Sequence, residues 1–168
     1  MRNEEAVANE EEHERAEDEG VYRIRILDAP PGTPDIYVGS SDDTVKRIAA
    51  HKAGHGCLVT QGRKVERLPL LSRQLCRDKL LRETIETFEN MITYGINHVR
   101  GAGYASPSID TLDAKRQIMH QFNLCKRCGR QGHFASSCSL PWFDGWEKGF
   151  MWCRFCHATS HMAWDCVA

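Results

Sequence analysis

A chain of 168 residues with 41% hydrophobic and 27% charged side chains has room for one small globular domain and an appendage. No apolar run is long enough to span a bilayer, and the acidic N-terminus is the opposite of a secretory signal. The expectation is therefore an intracellular protein, nuclear or cytoplasmic, with no membrane partner.

The net charge of −1 conceals a division. Residues 1–19 carry nine acids and two bases, a net of −7, which leaves +6 on the remainder, enough to meet a polyanion. This segment holds almost no apolar side chains and reads as a disordered acidic tail. It either aids solubility or folds back on the basic body and competes with nucleic acid.

From Val21 to Leu27 apolar and polar side chains alternate, the pattern of a strand. The turn-forming run Ala29-Pro30-Pro31-Gly32-Thr33-Pro34 follows, and Asp35–Gly39 returns as a second strand. A helix is expected from Thr44 to Ala53, capped by Asp42 or Asp43 and stopped near Gly54 and Gly56. Lys64–Leu71 reads as a third strand, with Pro69 favouring an edge.

Ser72–Tyr94 reads as a long helix whose apolar stripe is Leu75, Leu80, Leu81, Ile85, Phe88, Met91 and Ile92, stopped by Gly95. Val99–Tyr104 is a Gly-rich loop, and Ser108–Phe122 a further amphipathic helix striped by Leu112, Met119 and Phe122. The expected class is α+β: a small antiparallel three-stranded sheet flanked by helices, followed by two small zinc knuckles.

The knuckles rest on spacing. Cys125-x2-Cys128-x4-His133-x4-Cys138 recurs as Cys153-x2-Cys156-x4-His161-x4-Cys166. Three thiolates and one imidazole complete a tetrahedral zinc site and leave no open position, so two structural Zn2+ ions are expected. Such short loops bury no core of their own, and metal binding supplies about 10–16 kcal/mol of folding energy in comparable peptides. Gly129 and Gly132 permit tight turns in the first frame, where the second has His157 and Ser160. His157 competes with His161 as a ligand, but the four-residue spacing favours His161. Cys57 and Cys76 remain as core thiols.

Basic and aromatic side chains decorate both frames: Lys126, Arg127, Arg130 and Phe134 on the first, Arg154, Phe155 and Trp164 on the second. Such residues hold single-stranded nucleic acid by phosphate contacts and base stacking, though the rings equally suit packing. The linker between them carries Trp142, Phe143, Trp146, Phe150 and Trp152, for which packing is favoured.

One stretch gathers polar groups. Arg47 and His51 lie four residues apart on one helix face, and Tyr37 sits at the strand end just before them. Together they suit an anion, although a small hairpin packed on a helix with both groups solvated gives the same pattern.

Here the chain resembles a known family. Gly20-Val21-Tyr22, Tyr37-Val38-Gly39, Arg47 and His51 resemble the signature of the GIY-YIG nucleases. Tyr94-Gly95-Ile96-Asn97-His98-Val99-Arg100-Gly101 is similar to a segment in GIY-YIG proteins of large DNA viruses and protists, which continue through one helix into a zinc knuckle. The similarity covers roughly residues 20–138. It implies a nuclease domain over 20–107, a connecting helix 108–124, knuckles 125–138 and 153–166, and the aromatic linker 139–152 between them. Two departures stand out: His98 where the family has an asparagine, and a long loop between the two tyrosines.

The resemblance implies one divalent cation, Mg2+ or Mn2+, held by a glutamate on the helix after the sheet. Glu83 fits best by its distance to the Tyr94 segment, leaving Glu86 and Glu89 as solvated charges. Arg47 would neutralise the phosphate, Tyr22 corresponds to the tyrosine proposed as general base, and Tyr37 and His51 would orient water or phosphate. The expected function is a metal-dependent endonuclease acting on DNA or RNA. The rivals are a catalytically inactive protein holding single-stranded nucleic acid through its knuckles and, further off, a protein-interaction module.

Overall fold

The computed structural model describes residues 20–72 and 76–141. Strand β1 (Gly20–Ile26) pairs antiparallel with β2 (Ile36–Ser41), placing Tyr22 opposite Gly39 and Ile24 opposite Tyr37. On its other side β1 pairs antiparallel with β3 (Val65–Leu68). The short β4 (Val99–Arg100) joins β2 in parallel, giving the order β3-β1-β2-β4.

The sheet is thus four-stranded and mixed, not three-stranded and antiparallel as expected. A two-residue strand has no periodicity to read, and its partner lies more than sixty residues back in the chain, so Val99-Arg100 was legible only as part of a loop.

Three helices pack on this sheet: α1 (Thr44–Lys52), α2 (Lys79–Tyr94) and α3 (Thr111–Gln121). Each begins at an aspartate whose carboxylate accepts from N–H groups of the first turn. Asp43 takes that of Lys46, Asp78 those of Leu80 and Leu81, and Asp110 those of Leu112 and Asp113. Asp78 starts α2 seven residues later than the expected Ser72. Leu80 and Leu81 therefore fall in the exposed first turn rather than on the apolar stripe, and Leu112 does the same in α3. Leu75 lies outside the described residues. Gly95 ends α2 with φ +100, a conformation open to glycine at little cost.

Both faces of the sheet are covered, in two separate cores. Tyr22, Ile24, Ile26, Tyr37 and Val65 meet Ile48 of α1 on one side. On the other, Ile36 and Val99 meet Phe88 and Met91 of α2 and Ala114, Ile118 and Met119 of α3.

The polar alternation of β1 is buried too. Arg23 donates to Asn90 Oδ1 at 2.9 Å, and the Asn90 amide donates to Glu86 Oε1 at 2.8 Å. Glu86 also accepts from the backbone N–H groups of Leu71 (2.9 Å) and Ser72 (2.7 Å), tying the segment after β3 to α2. Glu86 and Glu89 are buried, at 0% and 9% exposure, not solvated as expected. Glu86 is the anion that Arg23 and two backbone donors require.

Candidate functional site

Tyr22 of β1, Tyr37 of β2 and His51 of α1 form one ring cluster, with centroid separations of 5.5 to 6.3 Å. The antiparallel register causes this. It puts Gly39 beside Tyr22, and a Cβ there would lie 2.5 Å from the Tyr22 hydroxyl oxygen, so only glycine leaves the phenol its place. Gly56 does the same for His51, since a Cβ would collide with Thr60 Oγ1 and His51 Nδ1.

A hydrogen-bond chain fixes the imidazole. Thr60 donates to the Cys57 carbonyl, its oxygen lies 2.7 Å from His51 Nδ1, and His51 Nε2 lies 2.8 Å from the Tyr22 hydroxyl. With the Thr60 proton committed, Nδ1 carries the ring hydrogen and Nε2 accepts from Tyr22. Tyr22 and His51 are almost wholly shut from solvent.

Burial, with the positive charge of Arg47 beside it, lowers the His51 pKa to about 4, so the ring is neutral at pH 7. Burial raises the Tyr22 phenol. The Arg47 guanidinium opposes that shift, and Cys57 and the Glu83 carboxylate add to it. Burial raises the Tyr37 phenol as well, with Cys57, Tyr22 and Glu83 adding to the effect. Arg47 is half-buried at the edge of this cluster, where its charge reaches both Tyr22 and His51. Four of the five expected site residues therefore come together.

Glu83 stands apart, in contact with Ser40 at the end of β2. Its Oε2 accepts a short hydrogen bond from Ser40 Oγ, and its Oε1 accepts the Ala102 N–H at 2.9 Å. Its link to the ring cluster is electrostatic, through a charge that reaches the two phenols. Ala102 is delivered by a tight turn. Tyr104 N–H returns to the Gly101 carbonyl at 2.8 Å, and Ala102 itself adopts φ +45, a strained value for a residue with a Cβ. Arg100 holds the flanking loop by donating to the carbonyls of Ile96, Val99 and Pro107.

Ser40, Thr60 and Ala102 were missed in the sequence. A lone serine or threonine carries no spacing signal, and an alanine contributes here only its backbone. His98 is turned aside, with Nδ1 3.1 Å from Asp35 Oδ1, where it braces the entry to β2.

The second site is the cluster Cys125, Cys128, His133 and Cys138, whose ligand atoms all lie within 4.8 Å of one another. Tetrahedral zinc with bonds of about 2.0 to 2.3 Å needs such a set, and the three sulfurs and one nitrogen fit it. Gly129 and Gly132 take φ +74 and +88, the tight turns expected of them. Burial opposes the Cys125 thiolate, but hydrogen bonds from the backbone N–H groups of Cys128 and Arg127 and from the Cys128 and Cys138 thiols together outweigh it and bring the pKa to about 7.

Lys126 and Arg127 are exposed beside the cluster, Arg130 is half-exposed, and Phe134 is 77% exposed. Among the described residues nothing covers the Phe134 ring. The second frame (Cys153, Cys156, His161, Cys166), with Arg154, Phe155 and Trp164, the linker aromatics and the acidic tail lie outside the described residues.

No family model matches the chain, and no curated protein or solved structure matches it either. Among the described residues no helix is long and apolar enough to cross a membrane. Among the described residues the fold is α+β with a four-stranded mixed sheet and three α-helices, and the Cys/His cluster is a candidate zinc site.

Proposed function

We propose that the chain is a metal-dependent endonuclease of the GIY-YIG type, with Cys/His clusters that hold its nucleic-acid substrate. The observation that carries this reading is the convergence of Tyr22, Tyr37, His51 and Arg47 from three separate elements. A purely structural core has no need of a guanidinium beside a buried phenol and a buried imidazole.

The roles follow from the chemistry of each group. Arg47, planar and permanently charged, neutralises charge that builds on the scissile phosphate. His51, neutral and with Nε2 facing the Tyr22 hydroxyl, takes a proton from that phenol as Tyr22 takes one from the attacking water. Tyr37 walls the other side of the imidazole. Glu83 would hold Mg2+ or Mn2+, which would supply positive charge at the phosphate. A single carboxylate with the Ser40 hydroxyl oxygen beside it suits a hard cation that keeps most of its water.

A second reading has its own support. Both oxygens of Glu83 are engaged by Ser40 and Ala102, and Tyr22 is 1% exposed. A site closed in this way suits a nucleic-acid-binding protein that does not cut and works through its Cys/His clusters.

The deciding experiment incubates labelled single-stranded, duplex and branched DNA and the matching RNA with the protein in Mg2+ or Mn2+, beside Glu83→Gln and Arg47→Ala. Cleavage by the wild type, lost in Glu83→Gln and reduced about a hundredfold or more in Arg47→Ala, is the expected result. Binding without cleavage by folded, zinc-loaded wild type would hand the assignment to the second reading.

A further inference from the structure

The spacing of residues sets a boundary between 124 and 125, with a helix on one side and a self-contained knuckle on the other. The contacts cross that boundary at once. Helix α3 ends in a left-handed cap: Asn123 has φ +56, and the Leu124 N–H returns to the Met119 carbonyl at 2.8 Å. Leu124 is then buried, at 6% exposure, in the same core as Ile36, Met91, Val99 and Ile118. The next residue, Cys125, is the first metal-ligating candidate and is 1% exposed.

A second strut comes from the other end of the loop. Gln131, between Cys128 and His133, donates its side-chain amide to the Phe122 carbonyl at 2.9 Å. Phe122 closes α3, so this bond satisfies one of the carbonyls left open at the helix end.

We infer that the Cys125–Cys138 cluster is a metal-dependent staple of the main core rather than a tethered module, with Gln131 and Leu124 as the coupling residues. The apolar anchor and the amide strut both depend on the loop holding its folded shape, and four short-spaced ligands hold that shape only around a metal. Ligand binding to the folded state alone stabilises whatever folds with it, so zinc occupancy should be felt in α3 and, through the shared core, in α2. The inference does not depend on whether the chain cuts nucleic acid.

The test follows amide hydrogen exchange in the full chain, zinc-loaded and then stripped by a chelator. Cys166→Ser serves as a control that removes a ligand only from the second frame. Removing zinc should raise exchange about tenfold or more at Met91, Ile118 and Met119, while Cys166→Ser leaves those amides unchanged. Gln131→Glu keeps the length but cannot donate, and should still bind zinc while losing most of that long-range protection. Gln131→Arg restores a donor and should recover part of it.

Loosening confined to residues 125–141, with α2 and α3 unaffected, would overturn the inference. So would failure of the folded chain to take up zinc at this cluster. If Gln131→Glu transmits the zinc effect as fully as wild type, the strut assigned to Gln131 is wrong.

Discussion

The Tyr22 hydroxyl and His51 Nε2 lie 2.8 Å apart between a central strand and the helix that packs on it, both closed to solvent. That single bond joins the fold to its proposed chemistry, because the same imidazole holds the strand tyrosine in place and is the base the phenol meets.

It makes stability depend on pH. His51 has a folded pKa near 4 against an ordinary value of 6.5. As pH falls through 6.5 the unfolded chain takes up a proton that the folded chain refuses, so stability is full above about 6.5 and is lost towards pH 4. The loss amounts to at most about 3 kcal/mol. Urea unfolding at pH 7 and pH 4.5 should show a smaller drop in His51→Gln than in wild type. Equal drops would mean that His51 is charged in the fold.

Gly39 and Gly103 make a matched pair. A Cβ at Gly39 meets the Tyr22 hydroxyl and ring, whereas one at Gly103 has open space. Gly39→Ala should cost about 1–3 kcal/mol and disturb the tyrosine, while Gly103→Ala should be neutral or slightly stabilising. Thermal melts decide it. The strand glycine and both tyrosines were legible in the sequence through the resemblance of their two tripeptides to the GIY-YIG signature. The partners that orient them were not: Thr60 reaches His51 from a loop with no periodicity, and β4 is set by a pairing across 63 residues of chain, from Ile36 to Val99.

The glutamates of α2 show the other limit of pattern reading. Spacing alone placed Glu86 on a solvated face, yet it sits at 0% exposure because Arg23, on a strand, is buried opposite it through Asn90. Removing the anion strands the guanidinium and two backbone donors. Glu86→Ala should therefore cost about 3–5 kcal/mol, and Glu86→Gln less, because the amide oxygen still accepts. Denaturant unfolding of the two variants should rank them in that order. A loss below about 1 kcal/mol in Glu86→Ala would show that water takes over the role.

On the Cys/His cluster the exposed ring and the exposed charges should separate in a binding experiment. Phe134 offers a flat apolar face to a base, and stacking of that kind is worth about 1–3 kcal/mol, largely independent of salt. Lys126 and Arg127 offer point charges to phosphates, and each such charge removed from a single-strand complex lowers the slope of log affinity against log salt by about 0.7. Phe134→Ala should therefore weaken binding of a single-stranded oligonucleotide by roughly ten- to a hundredfold at every salt concentration and leave the slope as it was. The double variant Lys126→Ala, Arg127→Ala should flatten the slope by about 1.4 and lose its disadvantage as salt rises. Fluorescence anisotropy across a salt series measures both. If Phe134→Ala binds as wild type does while the double variant is weakened, the cluster meets its partner through charge alone and the ring has another use.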